Sequence, residues 1–191
     1  GIPASAALFY LSDELIATLF FHGVMTERDV TMSGAALAAY GAGLLGHMLV
    51  KVLLPGYFAR QDTSTPVKFG VIALVSNMIL NLALIWHFKH VGLALATSFS
   101  AFLNAGLLIY GLKRSGVLVF EPGLSRFLFR TLIATSIMLL LLSWITPDIE
   151  SWFEFGNLER VLRMCFICSV GMGFYFACLL VIGIKVHHVI R

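Results

Sequence analysis

The sequence predicts an all-α protein that crosses a membrane about six times, and three observations carry that reading. Hydrophobic residues make up 59% of the 191-residue chain and charged residues 12%, with a mean hydropathy of +0.93; soluble domains carry about 25% charged residues. The apolar residues fall in long blocks separated by short polar clusters, each block near the ~20 residues that a helix needs to cross a hydrocarbon layer about 30 Å thick. Helices are the open spanning solution, because a lone strand would leave backbone groups unpaired in lipid. The net charge of +3 does not signal nucleic acid: the basic residues are scattered singly, with no basic stripe or aromatic platform.

Spans are expected at 1–21, 31–54, 66–86, 91–112, 127–145 and 161–186. Asp13 and Glu14 interrupt the first, so its spanning part should stop near Leu11, with 15–21 lying along the interface as a short amphipathic turn. Small residues crowd the second span, among them Gly34, Gly41, Gly43 and Gly46, which lets neighbouring helices approach closely and makes this helix central. Pro55-Gly56 should end it. Thr65-Pro66 reads as the N-cap and first residue of the third helix, since proline needs no amide partner there and its φ is already helical. The third and fourth spans are joined only by His87 to His90 and should pack as an antiparallel hairpin. The fifth, rich in Leu, Ile and Met, should face lipid. Cys165, Cys168 and Cys178 are odd in number and share one expected helix, which excludes a disulfide framework and reads as packing. No cleavable signal peptide is visible, and the missing initiator Met leads us to expect a piece of a longer chain.

Loop charge sets orientation, since Lys and Arg accumulate on the cytoplasmic side. One alternate set of helix ends holds Lys51, Arg60, Lys68, Lys113, Arg114, Arg126, Arg130, Lys185 and Arg191, nine of the thirteen basic residues. The other holds Arg28, Lys89, Arg160 and Arg163 with eight of the ten acids. The loop at 60–68, the loop at 113–125 and the basic tail should therefore be cytoplasmic. Trp86, Trp144 and Trp152 fall near the opposite ends, as an interfacial aromatic belt would place them.

Polar residues at membrane depth are costly and mark bundle interiors or wet cavities. Asn77 and Asn81 lie four residues apart on one face of the third span; Thr97, Ser100 and Asn104 share a face of the fourth. Two readings stand open: an interhelical hydrogen-bond clamp, or a site for a monovalent cation, Na⁺ or H⁺, for which amide and hydroxyl oxygens are suitable. His47 and Lys51 share a face of the second span and either line a cavity or, for Lys51, snorkel to the interface. His87, His90, His187 and His188 lack accompanying carboxylates, so no metal site is expected, and no nucleophile and base pair, phosphate loop or dinucleotide fingerprint is present.

The most specific feature is the run from Leu54 to Lys68, containing Tyr57-Phe58-Ala59-Arg60-Gln61-Asp62 and then Thr65-Pro66. It resembles the loop of MurJ/MviN flippases, in which an aromatic pair, Ala-Arg-Gln-Asp and a Thr-Pro helix start follow in this order between two membrane helices. The resemblance continues through Asn77, Asn81-Leu82, Gly92-Leu93 and Asn104, and more loosely to the end of the chain. It implies the C-terminal part of a two-lobe transporter of the multidrug/oligosaccharidyl-lipid/polysaccharide exporter superfamily, in a bacterial cytoplasmic membrane. On that mapping, 1–112 holds the later helices of the second lobe, 113–125 a cytoplasmic loop, and 126–191 an additional two-helix unit that helps shape a groove for a lipid tail, with a basic cytoplasmic tail. The implied activity is movement of the undecaprenyl-linked peptidoglycan precursor, lipid II, between leaflets by alternating access, with no bond made or broken. The implied partners are that lipid, the surrounding membrane lipids and the missing first lobe, which holds the arginines that the family uses for the headgroup. The alternatives are another exporter of the superfamily, such as a polysaccharide-lipid flippase or drug antiporter, or a non-transporting membrane scaffold.

Overall fold

A computed structural model of the chain describes residues 1–116, 118 and 123–181. Among the described residues all regular structure is helical: α1 (Ile2–Tyr10), α2 (Ser12–Phe20), α3 (Glu27–Phe58), α4 (Ser64–Arg114), α5 (Leu124–Ile145), α6 (Ile149–Glu154) and α7 (Asn157–Val181). Four of these, α3, α4, α5 and α7, are long and apolar enough to cross a membrane, and the α1–α2 pair, bent by 67°, counts as a fifth if it forms one span. A break at Lys89 divides α4 into two antiparallel arms, 64–88 and 90–114, which brings the candidate spans to five or six. The chain is thus an all-α polytopic membrane protein, as its composition requires. The expected basic tail, with Lys185 and Arg191, and residues 117 and 119–122 of the 113–125 loop lie outside the described residues.

The helices pack as two compact units, one of Gly1 with Ala35–Phe120 and one of Ile2–Gly34 with Glu121–Arg191. In the first, α3 and the two arms of α4 form a three-span layer. The contacts of Gly92 with Leu84, Asn77 with Ser100 and Gly111 with Phe69 step outward from Lys89 in antiparallel order, so α4 folds back on itself as the short connection predicts. The turn is tighter than a four-residue loop. Lys89 alone leaves helical geometry, at φ 49° and ψ −123°, a region that side chains other than glycine rarely occupy.

The 90–114 arm runs parallel to α3 and is seated by glycines: a Cβ at Gly43 would strike Ser98, and one at Gly46 would lie 2.9 Å from the Ala101 carbonyl carbon. The Ser98 hydroxyl donates to the Ala39 carbonyl at 2.6 Å, and the Tyr57 hydroxyl to that of Leu108 at 2.7 Å. These small-residue contacts let dispersion hold helices together where lipid removes the usual hydrophobic drive.

The second unit has a different core: Leu11, Ala17, Val30, Met138, Leu142, Trp152, Met164 and Ile167. The helix break falls at Leu11 as expected, but 12–20 forms a full helix whose Ala17 is completely buried and which packs on α6 and α7, rather than a turn along the interface. Helix α3 begins at Glu27, four residues before the expected span. Its start is a reciprocal cap, the Asp29 carboxylate accepting from the Thr26 N–H (3.0 Å) and hydroxyl (2.7 Å) while the Asp29 N–H donates to the Thr26 hydroxyl (3.3 Å). Nor does Pro55-Gly56 end α3. Proline removes only the bond its own N–H would make, and its carbonyl still accepts from the Ala59 N–H at 2.9 Å, so the helix continues to Phe58.

Trp152 is a further correction. Trp86 and Trp144 are 84% and 91% exposed, as belt residues would be, but Trp152 is wholly buried on α6, its indole N–H donating to the Thr18 hydroxyl at 3.1 Å.

Candidate functional site

The α4 hairpin brings the polar faces of its two arms together. The Asn77 amide donates to the Ser100 hydroxyl at 3.0 Å, and the Asn81 amide donates to the Asn77 carboxamide oxygen at 2.6 Å. Ser100 in turn donates to the Thr97 carbonyl at 2.9 Å, while the Thr97 hydroxyl donates to the Leu93 carbonyl, also at 2.9 Å. Asn77, Asn81 and Ser100 are thus directly linked, and Thr97 joins them through its backbone. Asn104, one turn beyond Ser100, stays outside this chain of bonds. The carboxamide oxygens of Asn81 and Asn104 are buried and have no hydrogen-bond donor.

An unsatisfied buried acceptor costs on the order of 1–3 kcal/mol, so each of these two oxygens is a place where a donor or a cation gains free energy. The described residues of the cluster contribute neutral oxygens and no carboxylate, and nowhere among the described residues do three His, Cys, Asp or Glu side chains gather as a metal site. His47 and Lys51 sit exposed one turn apart on α3.

The Ala-Arg-Gln-Asp loop is built by backbone geometry. Gln61 adopts a left-handed φ of 58°, the Asp62 N–H donates to the Tyr57 carbonyl and the Gln61 N–H to that of Phe58. This pairing satisfies the last orphan carbonyls of α3, a Schellman ending with glutamine in the place usually taken by glycine. Helix α4 begins three residues on, at Ser64. Asp62, rather than the expected Thr65, is the cap, its carboxylate accepting the Thr65 N–H at 3.0 Å and the Ser64 hydroxyl at 3.4 Å. Hydrogen bonding from the Thr65 side chain and then its backbone holds the Asp62 carboxyl below the usual carboxylate range. Pro66 is buried in the first turn, where its missing N–H leaves no bond unmade. Ala59 and Arg60 complete the turn, with Arg60 exposed.

One residue the charge count treated as a loop cation has a specific structural place. Arg160, only 5% exposed, donates from Nε to the Trp152 carbonyl (2.9 Å), from Nη1 to that of Phe21 (2.9 Å) and from Nη2 to that of Phe153 (2.8 Å). Its guanidinium also lies 4.8 Å from the centre of the Phe21 ring. The three carbonyls close α2 and α6, so the cation sits where two helix dipoles present their negative ends. The sequence offers a faint signal: a lone arginine following an aromatic run and lacking a carboxylate one turn away, in contrast to Arg163, which pairs with Glu159 at 2.8 Å.

Residues 1–162 match the family model described as lipid II flippase MurJ. The chain belongs to the MurJ family. Among curated relatives it is 41% identical over 185 residues to the probable lipid II flippase MurJ of Vibrio cholerae, a match covering 97% of this chain and 35% of that protein. The corresponding protein of Haemophilus influenzae is 38% identical over 190 residues (100% and 37% covered), and the lipid II flippase MurJ of Burkholderia cenocepacia is 34% identical over 184 (96% and 36%). The chain therefore spans a little over a third of the length of these MurJ proteins. Bacterial MurJ relatives and several apolar helices of spanning length together make it a multi-pass protein of the bacterial cytoplasmic membrane.

Proposed function

We propose that this chain is the C-terminal part of a flippase that carries undecaprenyl-linked peptidoglycan precursor, lipid II, from the cytoplasmic to the periplasmic leaflet by alternating access, without making or breaking a bond. The match of residues 1–162 to the MurJ family on a chain of several membrane-spanning helices is the observation that carries this reading. Residues 1–112 would form the later helices of the second lobe, 113–125 a cytoplasmic loop, and 126–191 the added two-helix unit. A transport path between rocking lobes needs both of them, so the rest of the protein is a necessary partner. The test is depletion of the full-length protein from cells: lipid II should accumulate in the cytoplasmic leaflet and return to normal flux when the protein is resupplied. Undiminished translocation after depletion would refute the assignment.

Within that function, we assign the α4 polar cluster to monovalent cation binding, with Asn77 and Asn81 as the primary oxygens and Thr97, Ser100 and Asn104 in support. The donor-less oxygen of Asn81 favours this over a saturated clamp. In the full-length protein, Asn81→Leu should weaken translocation and its sodium dependence while folded protein remains in the membrane. Loss of thermal stability with unchanged sodium response would instead identify a clamp.

A further inference from the structure

We infer that the pocket formed in the first unit where α3 ends, α4 begins and the second α4 arm ends is a binding site for a phosphate group, borne by an anionic lipid headgroup or free in solution. The cavity measures about 500 Å³, and its polar wall comprises Arg60, Asp62, Thr65, Tyr110, Arg114 and Ser115. Its floor exists because Gly111 has no side chain: a Cβ there would strike the Tyr57 hydroxyl and lie 3.0 Å from the Phe69 ring.

Charge decides what fits. Two guanidiniums, Arg60 and Arg114, share the wall, and the ion pair found among the described residues, Arg163 with Glu159, involves neither. The wall's acid, Asp62, is occupied in capping α4 through Thr65 and Ser64. The first turn of α4 adds the positive end of a helix dipole. The opposing negative end, at the close of the same helix, is answered by its own chain. Ser115 donates from its N–H to the Gly111 carbonyl (3.1 Å) and from its hydroxyl to that of Leu112 (3.0 Å), and the Gly116 N–H donates to that of Lys113 (3.1 Å). Planar guanidiniums bind phosphate oxygens in pairs, with the Tyr110 hydroxyl beside them as a further donor. Exposed Phe58 and Val67 on the adjoining helix turns provide an apolar flank suited to acyl chains.

The inference concerns this pocket alone and stands apart from the transport reading. It is tested on the full-length protein, delipidated in maltoside detergent, by native mass spectrometry with phosphatidylglycerol, with diacylglycerol of the same chains, and separately with inorganic phosphate. Phosphatidylglycerol should bind, and R60Q/R114Q should weaken it by about tenfold, while R28Q, a charge removed from the other unit, should leave it unchanged. Inorganic phosphate that binds with the same arginine dependence and displaces the lipid would make free phosphate a ligand too. Equal retention of diacylglycerol and phosphatidylglycerol, or undiminished lipid binding by a folded R60Q/R114Q, would overturn the site. Should that variant not fold, R60K/R114K, which keeps charge but loses the fork, must still show weakened binding.

Discussion

Replacing Arg160 with methionine, which keeps a flexible apolar stem and deletes the guanidinium donors, should unlock the join between α2 and α6. Three charge-assisted hydrogen bonds to carbonyls vanish, each worth about 1.5–3 kcal/mol. Against that, the native state no longer bears the cost of keeping a guanidinium almost fully out of water, several kcal/mol for a buried ion. Water reaching the freed helix ends recovers part of the remainder, leaving a net loss of about 3 kcal/mol, the low end of what breaking a buried ionic contact costs. Because the contacts join short local elements, the loss should appear as local opening. Amide hydrogen exchange in the purified full-length protein should quicken by roughly 100-fold over 149–156 and 17–21, since 1.4 kcal/mol is a factor of ten. Arg160→Lys retains the charge but not a fork that reaches three carbonyls, and should fall between the two. Unchanged exchange in Arg160→Met, or lysine performing as well as arginine, would refute the account.

Other outcomes follow from the same structure. With single cysteines in a cysteine-free background, an impermeant thiol reagent on intact spheroplasts should label position 151 and spare position 63; the reverse pattern would invert the proposed orientation. The Asp62 carboxyl titrates below its unfolded value, so its contribution to the α4 start is complete above about pH 4 and disappears as pH falls through the lower folded value. Protection of the Thr65 amide, measured relative to its intrinsic exchange rate at each pH, should accordingly hold at pH 5 and fall in stronger acid, and Asp62→Ala should lack that protection at every pH. Gly46→Leu places a side chain where even a Cβ crowds the Ala101 backbone, so it should lower the melting temperature of the full-length protein, by an amount consistent with an overpacking cost of about 1–3 kcal/mol. Gln61→Gly relieves a left-handed backbone worth about 1–2 kcal/mol, partly offset by glycine's entropic cost of roughly 0.5–1 kcal/mol, and should raise stability by up to about 1 kcal/mol in the same assay.

What the sequence revealed was whatever depends on periodicity and length. The polytopic helical architecture, the α4 hairpin and the shared faces of Asn77 with Asn81 and of Thr97 with Ser100 all follow from spacing along a helix, and spacing survives folding. Capping was harder to assign. Asp62 and Thr65 are both good caps, and the choice between them rests on the Schellman turn at Gln61, whose left-handed backbone no residue type announces. Thr26 and Asp29 did carry a readable three-residue spacing, hidden because the hydropathy of the span begins only at Thr31. The burial of Arg160 and Trp152 was not legible for a different reason: both lie in a short polar stretch that charge and aromatic rules assign to the interface, and their burial depends on α2, more than a hundred residues away in the chain. Long-range closure of that kind leaves no local period to read.

The one-residue turn at Lys89 bears on how the protein enters its membrane. With no loop to pull through, the two arms of α4 have to leave the insertion machinery as a joined pair or nearly so. Alone, the 64–88 arm can engage Asn81 with Asn77 inside itself but leaves the Asn77 amide N–H facing hydrocarbon, where an unpaired polar group costs several kcal/mol. Once 90–114 has emerged, Ser100 accepts from Asn77, so the pair crosses with that amide engaged. The hydrogen bonds that shape the candidate cation site thereby make biogenesis of this segment a concerted event, and a substitution that disturbs them should reduce the yield of inserted protein before it changes what the mature protein carries.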